Sequence, residues 1–174
     1  MKIYLRPVTL KDGREIVKWR NTRKVLNHSF DKRVITIESN EKFFEEKIKT
    51  GKYIQFIVER VEEESSLISY PIGTVYFKDF DRGNHRCELC VFTSDDREWN
   101  TESQKIAIRM MLKKAFEEYD IHKVYTHVFA LNKDEILLMK KAGFTEEALL
   151  KEEACDLEGN YVDVLRLSVI KDMY

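Results

Sequence analysis

Glycine, proline and cysteine are scarce in this chain of 174 residues, which has six glycines, two prolines and three cysteines. An odd set of cysteines does not form the disulfide framework of a small secreted domain. Every apolar run is far shorter than the ~20 residues that a membrane-spanning helix needs. Residues 1–13 carry Arg6, Pro7 and Lys11 where a secretion signal requires an unbroken apolar stretch. We therefore expect a cytoplasmic protein with no membrane partner.

An excess of charge of one sign is also missing, because 30 basic residues face 31 acidic residues and the formal net charge is −1. A balanced chain lacks the basic surface that binds nucleic acid, so we expect no nucleic-acid partner. Apolar residues make up 43% and charged residues 35% of the chain, as is typical of a globular protein. Residues 1–174 suit a single domain, and we expect a monomer or a homodimer.

Hydrophobic periodicity predicts both strands and helices. Alternation of apolar and polar residues indicates strands, whereas apolar residues spaced three and four apart indicate helices. The predicted strands are residues 2–6, 53–60, 70–80, 86–93, 122–130, 145–157 and 161–170. The predicted helices are residues 14–21, 37–50, 101–119 and 132–144, the last stopped by Gly143, and residues 25–36 are irregular. This order predicts an α/β (α+β mixed) fold, with a mixed sheet of about seven strands and helices on both faces.

The long helix 101–119 joins strands 86–93 and 122–130, which makes a parallel β-α-β unit. In such units ligands bind at the carboxyl ends of the strands, so residues 90–105 are the predicted ligand site. The sequence contains no glycine between Asn84 and Gly143. A phosphate-binding turn here therefore has to form without the conformational freedom of glycine.

Several segments, in this order, resemble the GNAT superfamily of N-acetyltransferases. The segments are LRPVTLKD, PIGTVYFKDFDRGNHRCELCV, AIRMMLKKAFEEYDIHKVYTHVFALN, NKDEILLMKKAGF and DLEGNYVDVLRLSV, which extend over nearly the whole chain. The resemblance implies a GNAT-like twisted mixed sheet. It also implies transfer of an acetyl group from acetyl-CoA, as co-substrate, to a small-molecule primary amine.

A narrower resemblance concerns the amine acceptor. The segment VKWRNTRKVLNHSFDKRVITIESNEKFFEE is similar to N-acetyltransferases of nucleotide-linked amino sugars, such as those of the pseudaminic-acid pathway. It implies an acceptor site at Trp19, Arg20, Asn21 and His28. Trp19 also suits the hydrophobic core, and His28 also suits a solvated loop. Arg20 and Asn21 can instead satisfy the carbonyl groups at a helix end.

The coenzyme loop departs from the family pattern. GNAT enzymes carry Gln/Arg-x-x-Gly-x-Gly before the helix whose N–H groups bind the diphosphate. Here Trp99 takes the first position, and Glu102 and Gln104 replace the glycines. A helix N-terminus still offers N–H donors. The implied coenzyme site is Cys90, Val91, Phe92, Arg97, Asn100, Thr101, Glu102, Ser103, Gln104, Lys105 and Asn132. Asn100 and Asn132 also suit helix caps.

Acetyl transfer needs a base for the amine and a proton for the departing thiolate. Glu88, in the segment CELC, takes the position of a strand Glu in the family and is the predicted base; His85, His127 and His28 are weaker candidates. A Glu that faces solvent or pairs with a Lys explains this residue equally well. The Tyr that often protonates the thiolate in the family corresponds to Met139, which has no proton to give. Water or another Tyr can serve instead, and Tyr125 is the candidate Tyr.

Cys87 and Cys90 form a C-x-x-C pair. In a regular strand these residues face opposite sides, and the sequence has no second such pair. We therefore expect no metal site.

Three functions are compatible with these residues. The first is an enzyme that acetylates an amino sugar on a nucleotide carrier. The second acetylates a protein N-terminus, as ribosomal-protein alanine acetyltransferases do. The third is a binding module that keeps the fold without turnover, which the missing glycines and Met139 favour.

Overall fold

One mixed sheet organises the chain, for which a computed structural model describes residues 2–62, 68–92, 94 and 96–174. The strands are β1 (Ile3–Pro7), β2 (Ile54–Val61), β3 (Ser69–Asp81), β4 (Arg86–Phe92), β5 (Lys123–Phe129), β6 (Thr145–Cys155) and β7 (Tyr161–Ile170). Within the described residues their order is β1-β2-β3-β4-β5-β7-β6. Only β4 and β5 pair in parallel among these neighbours, and the other pairs are antiparallel. The predicted mixed sheet is confirmed, although Thr93, the last residue of predicted strand 86–93, lies outside the described residues.

The helices agree closely with their predicted positions. They are α1 (Gly13–Arg20), α2 (Arg23–Leu26), α3 (Ile37–Phe43), α4 (Thr101–Glu117) and α5 (Lys133–Ala142), and a π-helical segment, Phe44–Ile48, continues α3. Gly143 ends α5 with a φ of 116°, a conformation that favours glycine. The one-turn helix α2 corrects the prediction that residues 25–36 are irregular throughout. It forms because Thr22 accepts a hydrogen bond from the N–H of Val25.

Hydrophobic residues cover both faces of the sheet. Phe56 and Val58 of β2 belong to a large core that α4 and α5 complete. Ile57, between them, faces the other way and packs with Val8 and with Ile16 of α1. Alternation along one strand therefore buries apolar side chains on opposite faces. Helices cover both faces, as predicted. In the described parts of the chain, no helix combines the length and the apolar character needed to cross a membrane.

Strands β4 and β5 separate part of the way along their length. Their register pairs are Arg86–Lys123, Cys87–Val124 and Glu88–Tyr125. Both strands continue to Phe92 and Phe129, still paired with β3 and β7 on their outer sides. A wedge-shaped cleft therefore opens after Glu88, at the carboxyl ends of two parallel strands, with backbone groups along both of its edges.

Trp99 fixes the turn before α4 to the sheet. Its side chain is 2% exposed, and its Nε1 donates a hydrogen bond of 2.6 Å to the carbonyl of Phe92. The indole lies directly over Gly73 of β3, where an added Cβ would come within 2.5 Å of a ring carbon. Gly73 is thus required by close packing, because any side chain there would displace the indole.

We predict that Gly73→Ala lowers the free energy of unfolding by about 1–3 kcal/mol, because overpacking forces Trp99 to move. Gly83→Ala is the matched control, since its added Cβ would meet its nearest neighbour, Asp81 Oδ1, at 3.7 Å. Denaturant titration of both variants measures the difference. Equal stability of Gly73→Ala and the wild type would contradict this account of Trp99.

Candidate active site

A cavity of about 590 Å³ lies where β4 and β5 separate. Its floor includes Tyr76 and Lys78 of β3, Glu88 and Cys90 of β4, and His127 of β5. Its walls come from α1, the segment 28–35, α3 with its π-helical extension, and the first turn of α5. The cavity therefore joins the predicted coenzyme strand to the predicted acceptor region.

Glu88 is buried at the narrow end of the cleft, with 6% of its surface exposed. Its carboxylate accepts a hydrogen bond of 2.9 Å from His127 Nδ1 and lies 3.6 Å from Lys78 Nζ. Burial opposes ionisation, but the hydrogen bond from His127 and the charge of Lys78 outweigh it and hold the pKa of Glu88 below its usual value. The solvent-facing alternative for Glu88 is therefore wrong, whereas the pairing with a Lys is present.

The contact with Glu88 also assigns the tautomer that His127 adopts when its ring is neutral. An ionised carboxylate only accepts hydrogen bonds, so Nδ1 carries the proton and Nε2 is left as an acceptor. Since His127 lines the cavity, the pair can take a proton from a bound amine. Sequence reasoning ranked His127 as a weaker candidate because a strand His is usually structural. The structure shows that His127 contacts the carboxylate of Glu88 on β4.

Tyr125 lies beside Glu88 in the register of β4 and β5. The Arg166 guanidinium covers its ring at 4.0 Å, and its ring centroid is 5.6 Å from that of His127. Burial and then the charge of Glu88 raise the pKa of Tyr125. Tyr125 is not among the described residues that line the cavity, so its role as proton donor stays a prediction. Met139 is fully buried in the core.

The predicted coenzyme residues fall into two groups. Cys90, Val91 and Phe92 line the cavity at one edge of the cleft. Arg97, Thr101 and Glu102 are exposed around the start of α4. The fold thus brings the strand residues to the cavity and leaves these three residues at the surface, whereas Ser103 is fully buried.

The start of α4 satisfies its own hydrogen-bond donors. The Asn100 side chain accepts from the N–H groups of Glu102 and Ser103, at 3.1 and 3.3 Å, and Ser103 Oγ accepts from the N–H of Asn100 at 3.0 Å. Gln104 Nε2 donates to the carbonyl of Trp99 at 2.9 Å. Glu102 turns outward and pairs with Lys105 at 2.6 Å. These N–H groups are therefore already hydrogen-bonded within the chain, and a diphosphate would have to displace their partners.

The predicted acceptor residues also fall into two groups, those that line the cavity and those that support its surroundings. Arg20 and His28 line the cavity, and Arg20 donates to the carbonyl of Asp31. Trp19 is 2% exposed, as a core residue is. Asn21 exchanges hydrogen bonds of 2.7 and 2.8 Å with the backbone of Ile35, which holds the wall of the cavity in place.

Asn132 and His28, predicted for different sites, are in contact. Asn132 Nδ2 lies 3.0 Å from His28 Nδ1 and 2.6 Å from Glu135 Oε2. The Asn132 side chain also caps α5, as its alternative explanation expects. Sequence reasoning missed Glu135, which lines the cavity. Its position in the first turn of a helix suggests only a favourable interaction with the helix dipole.

Comparison with known proteins identifies the family of this chain. The model of the acetyltransferase (GNAT) domain matches residues 2–145. The spermidine N(1)-acetyltransferase of Vibrio cholerae is 23% identical over 173 residues, or 99% of this chain and 95% of that protein. A crystal structure of spermidine N-acetyltransferase from Vibrio cholerae in complex with CoA and spermine matches with a TM-score of 0.87 and 23% identity, covering 99% of this chain and 97% of that one. This structural likeness shows a common fold.

We predict that Asn100→Ala lowers the free energy of unfolding by about 0.5–2 kcal/mol, because the N–H groups of Glu102 and Ser103 lose their acceptor. Thr101→Ala is the control, since Thr101 is exposed and lies in the same turn. Thermal unfolding followed by circular dichroism compares the two. If Asn100→Ala is as stable as the wild type, the cap does not stabilise this turn.

Proposed function

The chain belongs to the GNAT acetyltransferase family, and from that premise we propose that it transfers the acetyl group of acetyl-CoA to a primary amine in the Glu88 cavity. The observation that carries the proposal is the Glu88–His127 pair at the end of the β4–β5 cleft. This pair lies where an acyl donor held by the separated strands would meet an amine in the cavity. Glycine at the start of α4 is not needed for that encounter.

Base catalysis starts from a protonated amine. An alkyl ammonium has a pKa of about 10.4, so a base has to remove a proton before attack. His127 Nε2, directly or through water, takes this proton, and the Glu88 carboxylate stabilises the imidazolium that forms. The charge of Lys78, 3.6 Å away, keeps Glu88 ionised. The neutral amine then attacks the thioester carbonyl.

The separated strands suit the acyl donor. Peptide groups beyond Glu88 on β4 face the cleft rather than β5. They can pair with the amide groups of the pantetheine arm as an added strand would, and one N–H can polarise the thioester carbonyl. Cys90, Val91 and Phe92 are the proposed strand contacts. Arg97, Thr101 and Lys105 are the proposed contacts for the diphosphate. The N–H groups of α4 that Asn100 caps contribute less to diphosphate binding than these side chains do.

Four aromatic rings along the cavity favour a polyamine as the acceptor. Phe43, Tyr53, Tyr76 and Phe92 all line the cavity. Successive ring centroids are 5.0, 5.6 and 5.5 Å apart. Such a row packs against an alkyl chain and attracts ammonium groups through the ring faces. The similarity to a spermidine acetyltransferase supports the same acceptor class.

A second acceptor class is favoured by Arg20. Its Nη1 is buried and has no hydrogen-bond partner among the residues that the structure describes. Arg33, Lys42 and Lys47 line the same cavity. These cations fit an amine that also carries phosphate, as the predicted nucleotide-linked amino sugar does.

A single assay separates the proposals. Release of CoA and mass of the product are measured with spermidine, with a UDP-linked amino sugar and with a peptide that has an N-terminal alanine. We expect turnover with spermidine. Turnover only with the UDP-linked sugar would favour the second acceptor class, and turnover only with the peptide would favour a protein N-terminal acetyltransferase. No turnover with any amine would leave a binding module.

We predict that Glu88→Gln lowers kcat/KM by about 10²–10⁴ below pH 8, because the base loses its charged partner. The deficit relative to the wild type at the same pH should shrink as pH rises towards the pKa of the amine, since the amine then loses its proton without help. The exposed Glu45 lies in the π-helical segment after α3 and pairs with Lys49; it supplies the control variant Glu45→Gln. A loss that is the same at every pH would argue for a structural role of Glu88.

A further inference from the structure

The departing thiolate needs a proton, and the proposed function leaves its source open. Met139 is buried and has no acidic hydrogen, and Tyr125 lies away from the cavity lining. We propose that Glu135 is the acid that protonates the thiolate of CoA. This inference rests on the proposed acetyl transfer and adds a catalytic residue to it.

Glu135 is placed at the end of the cleft opposite to Glu88. It occupies the first turn of α5, which begins shortly after β5 ends at Phe129. Its side chain lines the same cavity as Glu88 and His127. A thioester held between the two strands therefore has a carboxylate–imidazole pair on one side and the Glu135 carboxyl group on the other.

Asn132 fixes the orientation of the Glu135 carboxyl group. Its Nδ2 donates to Oε2 at 2.6 Å, which leaves Oε1 as the atom that can carry a proton. The same amide group reaches His28 Nδ1 at 3.0 Å. Since an amide N–H donates, His28 is the acceptor at Nδ1 and is neutral in this arrangement.

Glu88 and Glu135, two of the carboxyl groups that line the cavity, have pKa values shifted in opposite directions. Burial raises the pKa of Glu135 to about 7, whereas His127 and Lys78 keep the pKa of Glu88 low. Environments that separate two carboxyl groups in this way mark an acid and a base. His28 is the titratable group that approaches Glu135, through Asn132. Burial and then the charge of Lys24 lower the pKa of His28, and Asp134 of α5 opposes them.

Two phenol groups and one thiol group that also line the cavity hold their protons too tightly. Burial raises the pKa of Tyr53, of Tyr76 and of Cys90 above their usual values. A CoA thiol has a pKa of about 8.5 by analogy with cysteine. Transfer to the thiolate is downhill from Glu135 and uphill from the other three groups.

Acetyl transfer forms one bond at the carbonyl carbon and breaks another. The amine nitrogen forms a bond to the carbonyl carbon, and the C–S bond breaks with its electron pair on sulfur. The proton of Glu135 passes to that sulfur and gives the free thiol. The ammonium loses its first proton through His127 to solvent before attack. The nitrogen of the adduct then loses a second proton, which stays on the His127–Glu88 pair until solvent returns this pair and Glu135 to their starting states.

Glu135→Gln tests the proposal, because it keeps the acceptor for Asn132 and removes the proton. We expect kcat with acetyl-CoA and spermidine to fall by about 10²–10³. The decrease in wild-type kcat above pH 7 should disappear in the variant. With an acetyl thioester of an acidic aryl thiol, whose thiolate needs no proton, wild type and variant should differ by less than about threefold. Asp134→Asn, on the exposed side of the same turn, is the matched control.

Two kinetic results would overturn the proposal while leaving the proposed function intact. One is an active wild type whose rate Glu135→Gln leaves unchanged. The other is an equal loss with both acyl donors, which would mean that Glu135 binds the acceptor ammonium instead. An inactive wild type would reject the proposed function itself. A carboxyl titration by NMR on wild type and Glu135→Gln needs no turnover, and absence of a Glu135 signal titrating near pH 7 would also reject the proposal.

Discussion

The separation of β4 and β5 after Glu88 is the constraint on which the site depends. Two parallel strands that stop pairing normally leave peptide groups unsatisfied, so an opening of this kind is stable only when the strands are held from outside. Here β3 and β7 hold them through continuous antiparallel ladders. The fully buried Ile108, Leu112 and Ala115 of α4 pack in the large core on one face of the sheet. The core thus fixes two rigid edges, and the chemistry takes place between them.

Charge in the cavity is arranged in local pairs. Glu88 lies between His127 and Lys78, and Arg33 pairs with Asp31 at 2.7 Å. Glu135 is different, because a neutral amide is its hydrogen-bond partner. An isolated carboxyl group in a poorly solvated site favours its protonated form. Within one cavity, the pKa of Glu88 therefore lies below its usual value and that of Glu135 is raised to about 7.

Periodicity along the sequence was sufficient to predict most of the fold. Strand alternation, the 3–4 spacing in α4 and the stop at Gly143 are local signals, and each is borne out. The parallel β4–β5 pair followed from the long helix between the strands. The helix α2 was missed because a single turn stabilised by the Thr22 cap carries no periodic pattern.

The site was predictable only in part, because its contacts join distant parts of the chain. Glu88 could be singled out from its strand, but its contacts with Lys78 and His127 arise from the register of three strands. Asn100 could be identified as a cap by residue type. The consequence, that its side chain engages the N–H groups a diphosphate would use, depends on side-chain geometry. Glu135 has no local signal that distinguishes it from an ordinary helix residue.

Calorimetric titration with acetyl-CoA and with S-acetylpantetheine, which lacks the nucleotide and its diphosphate, tests the central claim most directly. If the β4–β5 cleft is the main binding element, both donors bind saturably and their dissociation constants differ by less than about tenfold, or ~1.4 kcal/mol. Absence of heat with acetyl-CoA at millimolar concentration, or loss of all measurable binding with the truncated donor, would contradict it.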